Sequence, residues 1–538
     1  MRTSRSATAR ARGPVCFVPL VSGLAAAVLM FVRLFLPHPV GTANNGDALR
    51  LLCQLGANPD APPKPTAKWF FVRFWYPLAP GTHCANYPTS EILPMRATAW
   101  VHEHVLGLSG VIDLREAALE YCVFVGLVIA ALALILASSR LRIRVAVLCG
   151  LFLVLAEATF ADYAASPFSE TAALWGLLVA AVAVVAVVAR GRHWRWAFLA
   201  AWAGAVFAVG AKNETITLAI PLALLLGTRR FELGRLSRGV SAGMRRVTDR
   251  IVPALCVLSL AMTAAWSLSS ESVTDAQTNF GNEVTMTIMP MTSNPDAVAT
   301  GLGLPGSWGK YSGTNWWTRG DSIDTDPQFP LYAHLFTDAD LAKYLAKNPV
   351  LAARVFADAA PSYLQFRNRN LGSYPANAGY APESQECRDC VLEDVSHALS
   401  WTGFTGVLAY WLACIGAALW LIRTSVARSR RRGFALSSLM LIGCTVIQYT
   451  TSVYGEGNEV TKHLSIALFA ASLAPVLLAA GAMVDRGRTG PGADAGVDAA
   501  RIPHQVDADG IDAADDAAAA EEGDQPQWLQ PLVQDDSL

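Results

Sequence analysis

Residues 15–36 read VCFVPLVSGLAAAVLMFVRLFL, and residues 44–47, which follow shortly afterwards, read NNGD. The first run has the ~20 consecutive apolar residues that a transmembrane helix needs. Four basic residues precede it: Arg2, Arg5, Arg10 and Arg12. Because basic flanks stay in the cytoplasm, we expect the N terminus inside and Asp47 outside. The sequence therefore predicts a carboxylate at the outer membrane surface.

The composition of the whole chain is that of a membrane protein. Of its 538 residues, 53% are hydrophobic and 16% are charged, and the mean hydropathy is +0.33. The first span lacks a small-residue cleavage site and is expected to be retained. We predict an all-α polytopic protein of the plasma membrane with about ten transmembrane helices. The expected spans are 15–36, 116–137, 145–161, 171–190, 195–211, 214–228, 251–269, 401–423, 434–451 and 463–484.

Basic clusters occur in every second loop, which predicts that both termini are cytoplasmic. The same charges sit in short loops between spans, so nucleic-acid binding is not expected. Of the 43 acidic residues 13 follow residue 484, with only 3 of the 42 basic ones, and this Ala/Asp-rich tail is expected to be disordered. The predicted organisation is a cytoplasmic N terminus (1–14), a membrane module (15–269) with a first outer loop (38–114), a large outer loop or small domain (270–400), C-terminal membrane helices (401–484) and the acidic cytoplasmic tail (485–538).

Four of the ten cysteines fall in the predicted outer loops, where the compartment is oxidising. Cys387 and Cys390 are close enough in sequence to pair, and Cys53 with Cys84 could tether the first loop. A zinc site is the alternative, but no histidine or cysteine partners lie at zinc-finger spacing.

Acidic side chains are predicted at the outer surface in two neighbouring loops. Asp47 could be a catalytic carboxylate, or a solvated residue of an ordinary Asn-Gly-Asp turn. Asp162, Tyr163 and Glu170 lie between the third and fourth spans. They could position a substrate, although Glu170 could equally stabilise the first turn of the fourth span.

Cationic side chains are predicted at the same surface. Lys212 separates the fifth and sixth spans, and Glu459, Lys462 and His463 lie in the last outer loop. Ionisable groups at the membrane are costly to retain, so they are candidates for function. Lys212, Lys462 and His463 could bind a lipid phosphate, or the lysines could simply snorkel to the interface. Carboxylates, cations and aromatic rings on one face are the groups that glycosyl transfer from a lipid phosphate requires.

Several of these motifs resemble the GT-C superfamily of membrane glycosyltransferases. The run NNGDALRLLC (44–53) most resembles the WsfD-type glycan hexosyltransferases of actinobacteria and other Gram-positive bacteria. Tyr163–Glu170, Asn458–Leu464 and the Leu302–Gly313 region are also similar, and the resemblance covers roughly residues 15–484. It departs from the pattern at one point, because many GT-C enzymes have two adjacent acids in the first loop, whereas Asp47 stands between Gly46 and Ala48.

The resemblance implies a GT-C fold and an inverting hexosyltransferase. A hexose would pass from a polyprenyl-phosphate donor to a cell-envelope glycan or lipid-linked acceptor outside the membrane. Asp47 would be the base, and Asn45 and Arg50 would contact the substrate. The single acid favours a metal-free mechanism without a cofactor, although a divalent metal stays an option. A flippase or transporter of a lipid-linked sugar is the main alternative, and a structural protein with an outer docking domain is a third.

Overall fold

The computed structural model describes residues 17–43, 47–57, 70–78, 87–108, 110–191, 193–231, 242–369 and 371–484. All of them belong to one compact unit, Met1–Gly487. The predicted N terminus (1–14) and acidic tail (485–538) lie outside these ranges. In chain order, the α-helices and strands up to residue 269 are α1 (Phe17–Phe35), β1 (Gly41–Thr42), α2 (Asp47–Gln54), β2 (Trp75–Pro77), α3 (Ile92–His104), β3 (Val111–Asp113), α4 (Leu114–Ile135), α5 (Leu141–Ala156), α6 (Ala158–Ala161), α7 (Glu170–Ala189), α8 (Trp194–Val209), α9 (Ala219–Gly227) and α10 (Ala242–Ser269).

The rest of the described chain forms the large outer segment and the last membrane helices. A π-helical turn (Glu283–Ile288) follows the first helix of the outer segment. Its other regular elements are mostly short, and long helices return only after residue 402. In order, they are α11 (Val273–Asn282), α12 (Pro295–Gly301), α13 (Phe329–Tyr332), α14 (Asp338–Lys347), α15 (Pro349–Asp358), α16 (Ala360–Leu364), β4 (Leu371–Ser373), α17 (Val391–Ala398), α18 (Gly403–Arg423), α19 (Arg430–Gly455), α20 (Val460–His463) and α21 (Ser465–Met483).

A helix lies at each of the ten predicted spans, but they differ in length. Within the described ranges, seven helices are long and apolar enough to cross a membrane. An eighth span results if Leu141–Ala156 and Ala158–Ala165, which meet at a 62° bend, are counted together. Trp194–Val209 and Asn213–Gly227 are shorter than the ~20 residues that an upright span needs. The helical membrane architecture is therefore confirmed, and the number of ten spans stays a prediction.

Pairs of glycines allow the long helices to pack closely. A Cβ atom on Gly176 of α7 would lie 2.5 Å from the carbonyl oxygen of Gly204 in α8. In the same way, a Cβ on Gly23 of α1 would lie 2.6 Å from the carbonyl oxygen of Gly126 in α4. Small residues at such crossings are how membrane helices associate where the hydrophobic effect between them is weak.

Basic side chains bind helix ends on the side of the bundle predicted to be cytoplasmic. Arg430, at the start of α19, donates to the carbonyl of Ile135 at the end of α4 at 2.9 Å. Arg250 of α10 donates to the carbonyl of Gly227 at the end of α9, also at 2.9 Å. Cations are favourable at these carboxyl ends because of the helix dipole.

The outer segment is anchored to the first helix by a buried network of ions. Arg33 of α1 lies 3.5 Å from Asp162 and also pairs with Glu386. Arg367 of the outer segment donates to the second oxygen of Asp162 at 2.9 Å. The side chains of Asp162 and Glu386 are fully buried. A two-stranded antiparallel pairing of β1 with β4 reinforces the same junction.

Candidate functional site

A polar cavity lies at the end of the bundle opposite the arginine-bound helix ends. Its volume is about 110 Å³. Lys212 follows α8, Ser270 follows α10, and Glu456 follows α19, so helix ends deliver the lining side chains. The cavity lies where four predicted outer loops converge. Its lining residues are Arg50, Tyr87, Pro88, Lys212, Asn213, Ser270, Glu271, Asp275, Thr278, Asn279, Asn282, Trp317, Glu456, Asn458, Glu459, Lys462 and His463.

One carboxylate bridges two cations at the wall of this cavity. Oε1 of Glu214 lies 2.9 Å from Nζ of Lys212 and 2.9 Å from Nδ1 of His463. Lys212 also donates to Glu170 at 3.2 Å, and Nε2 of His463 pairs with Glu456. The cluster therefore alternates acids and cations, which limits the cost of burying each charge.

The cluster shifts the acidity of its members in predictable directions. Burial alone would lower the pKa of Lys212, but the charges of Glu170 and Glu214 outweigh it and raise that pKa well above its usual value. Burial likewise opposes the charge on His463, yet Glu214 and Glu456 raise the pKa of His463 to about 9. Burial, together with the charge of Glu214, raises the pKa of Glu456 to about 7. At neutral pH the cavity wall thus holds two cations and a carboxyl group close to its titration point.

Two further cationic side chains, Lys462 and Arg50, are held at the cavity by contacts of their own. Lys462 is buried, donates to Glu459 at 2.8 Å and lies 5.7 Å from the centre of the Phe168 ring. Arg50 of α2 donates to Asp275 at 2.8 Å. These contacts bring Arg50 and Lys462 to the same cavity as Lys212 and His463.

The last outer loop approaches the outer segment so closely that it requires a glycine. A Cβ atom on Gly457 would overlap the carbonyl oxygen of Asn282 and would lie 2.6 Å from Cα of Glu283. Gly457 therefore allows the Glu456–His463 loop to approach the end of α11 this closely. Glu283, which begins the π-helical turn there, is buried, and burial raises its pKa well above the usual value.

Five of the residues expected from the sequence line the cavity: Arg50, Lys212, Glu459, Lys462 and His463. Glu170 lies behind the wall as a partner of Lys212 and is 1% exposed. The structure does not bring Asp162 or Tyr163 to the cavity. Asp162 belongs to the buried ion network, and the Tyr163 hydroxyl donates to Ser465 at 3.2 Å. Both side chains are thus engaged in buried contacts away from the cavity, and their contact with substrate stays a prediction.

For Asp47, the expected catalytic carboxylate, the structure gives the position of its helix but not that of its side chain. Asp47 begins α2, the helix that carries Arg50 to the cavity, but its side chain lies outside the described part of the chain, as does the whole of Asn45. Cys387 and Cys390, the other expected pair, are joined by a disulfide in the structure. Cys53 is also disulfide-bonded, and Cys84, its expected partner, lies outside the described residues.

Several residues of the cavity and of its charged cluster were not singled out as site residues from the sequence. Glu214 and Glu456 are next to expected site residues in the chain, so that proximity was an available signal. Tyr87, and the α11 residues described below, gave no local signal, because their role depends on contacts between distant segments.

A metal ion could in principle use three of these side chains. Ligand atoms of Glu214, Glu456 and His463 all lie within 4.8 Å of one another. However, Nζ of Lys212 lies 2.9 Å from the Glu214 oxygen. That oxygen therefore already binds an ammonium group, which a metal ion would have to displace.

Comparison with known proteins identifies the class of the chain. Residues 6–486 match the family described as the YfdI N-terminal transmembrane domain. The chain belongs to this family and is a polytopic membrane protein. Neither the curated proteins nor the solved structures contain a significant match.

Proposed function

We propose that the protein is an inverting membrane glycosyltransferase with a GT-C fold, similar to the WsfD-type hexosyltransferases. It would transfer a hexose from a polyprenyl-phosphate donor to a cell-envelope glycan or lipid-linked acceptor on the outer side of the plasma membrane. The observation that carries the proposal is the convergence of four cationic side chains on one cavity: Arg50, Lys212, Lys462 and His463.

A second feature supports a lipid-borne substrate. An apolar groove of about 700 Å³ runs between α9 and the helices α18 and α19. The chain enters α9 from Glu214 and leaves α19 at Glu456, so the same two helices carry residues of the charged cluster at their other ends. A hydrogen bond of 2.9 Å between Thr217 and Thr451 links them between groove and cluster. An isoprenoid chain in this groove would lead toward the cavity.

The proposed chemistry follows from these groups. The acceptor hydroxyl oxygen attacks the anomeric carbon while the bond from that carbon to the phosphate oxygen breaks. The electron pair leaves with the phosphate, whose growing charge Lys212, Lys462 and His463 stabilise. We assign the acceptor proton to the carboxylate of Asp47. The resident cations make a metal-free mechanism sufficient, as the lone Asp47 also suggests.

Asp47→Asn tests this assignment. In membranes at matched protein level, we expect transfer of radiolabelled hexose from a synthetic polyprenyl-phosphate donor to fall by about 10²–10⁴. Asp321→Asn is the matched control, because Asp321 is exposed and lies outside the cavity. A well-expressed Asp47→Asn variant with normal transfer would rule out Asp47 as the base.

A flippase for a lipid-linked sugar is the second candidate, favoured by the interruption of two short apolar helices at Lys212. Transporters generally bind their substrate near the bilayer midplane, between two related repeats. The cavity instead lies where helices end, which favours chemistry at the membrane surface. Donor that crosses vesicles without being cleaved would support the flippase.

A further inference from the structure

We infer that one face of α11, together with Trp317, is a sugar-binding wall that selects a neutral hexose. This inference rests on the proposed glycosyl transfer and names the part of the donor that the outer segment recognises. The cationic side chains lie on other segments, in α2, after α8 and in the last outer loop. The cavity would then hold the phosphate at its cationic side and the sugar ring against α11.

The spacing of the α11 residues produces a single polar face. Asp275, Thr278, Asn279 and Asn282 all line the cavity. They follow the i, i+3, i+4, i+7 pattern of residues on the same side of a helix. A helix face of carboxylate, hydroxyl and amide groups offers both donors and acceptors, as sugar hydroxyls require.

Contacts at both ends of α11 fix this face in position. At its start, the Ser272 hydroxyl accepts from the amide of Asp275 at 3.0 Å, and Asp275 binds Arg50. At its end, the Asn282 side chain accepts from the amide of Trp316 at 2.8 Å. Thr278 and Asn279 lie half-buried between these anchors, so they are held in place without being covered.

Trp317 supplies an aromatic surface beside the same face. Its side chain is 61% exposed although it lines the cavity. Its neighbour Trp316 packs edge-on against Phe329, with ring centres 5.5 Å apart, which anchors the backbone of this loop. An exposed indole next to amide groups suits the apolar face of a pyranose ring, which stacks on aromatic surfaces while its hydroxyls form hydrogen bonds.

Charge narrows the class of sugar. Asp275 lies on the wall itself, and Glu271 lines the cavity just before α11. Arg50 offsets the charge of Asp275, so a uronic acid held against this face would meet chiefly the carboxylate of Glu271, and like charges at close range are unfavourable. A hexose without a carboxylate meets no such repulsion.

Binding to the full-length protein in lipid nanodiscs tests the wall without requiring turnover. The probes are citronellyl phosphodiesters that carry glucose, galactose, mannose or glucuronic acid, and the methyl diester as a sugar-free reference of equal phosphate charge. We expect at least one neutral hexose to bind roughly three- to tenfold more tightly than the methyl diester, as aromatic stacking and a few hydrogen bonds allow. The glucuronic acid probe should bind no more tightly than the methyl diester.

Two variants with matched controls locate the effect. Trp317→Ala and Asn279→Ala should bind the methyl diester as the wild type does. They should bind the hexose probes no more tightly than the methyl diester. Trp401→Ala and Asn377→Ala should still bind a hexose probe more tightly than the methyl diester, because both side chains are exposed and lie outside the cavity.

The possible failures are distinguishable. The inference would be overturned if both Trp317→Ala and Asn279→Ala still bound a hexose probe more tightly than the methyl diester. Tight binding of the glucuronic acid probe would overturn it as well. A wild type that binds neither the methyl diester nor any sugar probe would instead overturn the proposed function, and with it this inference.

Discussion

Replacing Lys212 with methionine removes the central cation of the charged cluster while it keeps a side chain of similar length. Lys212 is 7% exposed and lies 3.2 Å from Glu170 and 2.9 Å from Glu214. The variant would remove the ammonium partner of both buried carboxylates, of which Glu214 keeps its contact with His463. Breaking a buried ion pair from one side typically costs about 3–5 kcal/mol. We expect a loss of unfolding free energy in that range.

The double variant Lys212→Met/Glu214→Gln separates stability from chemistry. It removes Glu214, one of the two carboxylates that the first change leaves without their ammonium partner, so we expect it to recover about half of the lost stability. Transfer should not recover, because loss of a positioned cation at a developing charge typically costs about 10²–10³ in rate. Unfolding in detergent micelles, followed by fluorescence, measures the first quantity, and labelled-sugar transfer per folded molecule measures the second.

Each of these roles of Lys212 can be excluded by one result. A Lys212→Met protein as stable as the wild type would mean that the cluster is not held together by these ion pairs. Full transfer by the double variant would mean that Lys212 does not stabilise the departing phosphate.

Four further outcomes are expected. Because the pKa of His463 is raised from 6.5 to about 9, its protonated form stabilises the fold fully below about pH 6.5. This contribution to the unfolding free energy is lost as the pH rises to about 9. Thermal unfolding should show the loss in the wild type and not in His463→Gln. Asp162→Asn should destabilise the protein by roughly 3–5 kcal/mol in denaturant titrations while transfer per folded molecule persists, since it weakens a buried network outside the cavity. Gly176→Val should sharply lower the monodisperse fraction in size-exclusion chromatography, whereas Gly191→Val, where an added Cβ would meet no described atom within 4 Å, should not. Chelation with EDTA should leave transfer unchanged, and a loss that Mn²⁺ or Zn²⁺ restores would show that Glu214, Glu456 and His463 hold a metal.

The membrane helices could be predicted from the sequence because each is a long apolar run. The break in the third expected span was harder to predict, since Glu157 lies inside an apolar stretch. Its side chain accepts from the backbone amides of Leu392 and Glu393, more than 230 residues away, and thereby helps to dock α17. The local pattern alone does not contain that contact.

The candidate site was partly predictable for a similar reason. Lys212, Lys462 and His463 stand out because charged residues next to apolar spans are unusual. Asp162 has the same local appearance, but its partner Arg367 is 205 positions away in the chain and turns it into a buried structural group. The α11 face lies in an ordinary polar helix and becomes recognisable only when Arg50 and the last outer loop pack beside it.

If the cavity performs the proposed transfer, it cleaves a sugar from a lipid phosphate. This cleavage can be measured with the purified full-length protein, in liposomes with an envelope-lipid extract, and polyprenyl-phosphate hexose labelled in both sugar and lipid. We expect free polyprenyl phosphate in equal amount to label in a new acceptor, and no cleavage by Asp47→Asn. Donor that stays intact but moves between the two membrane leaflets would rule out the transfer and identify a flippase.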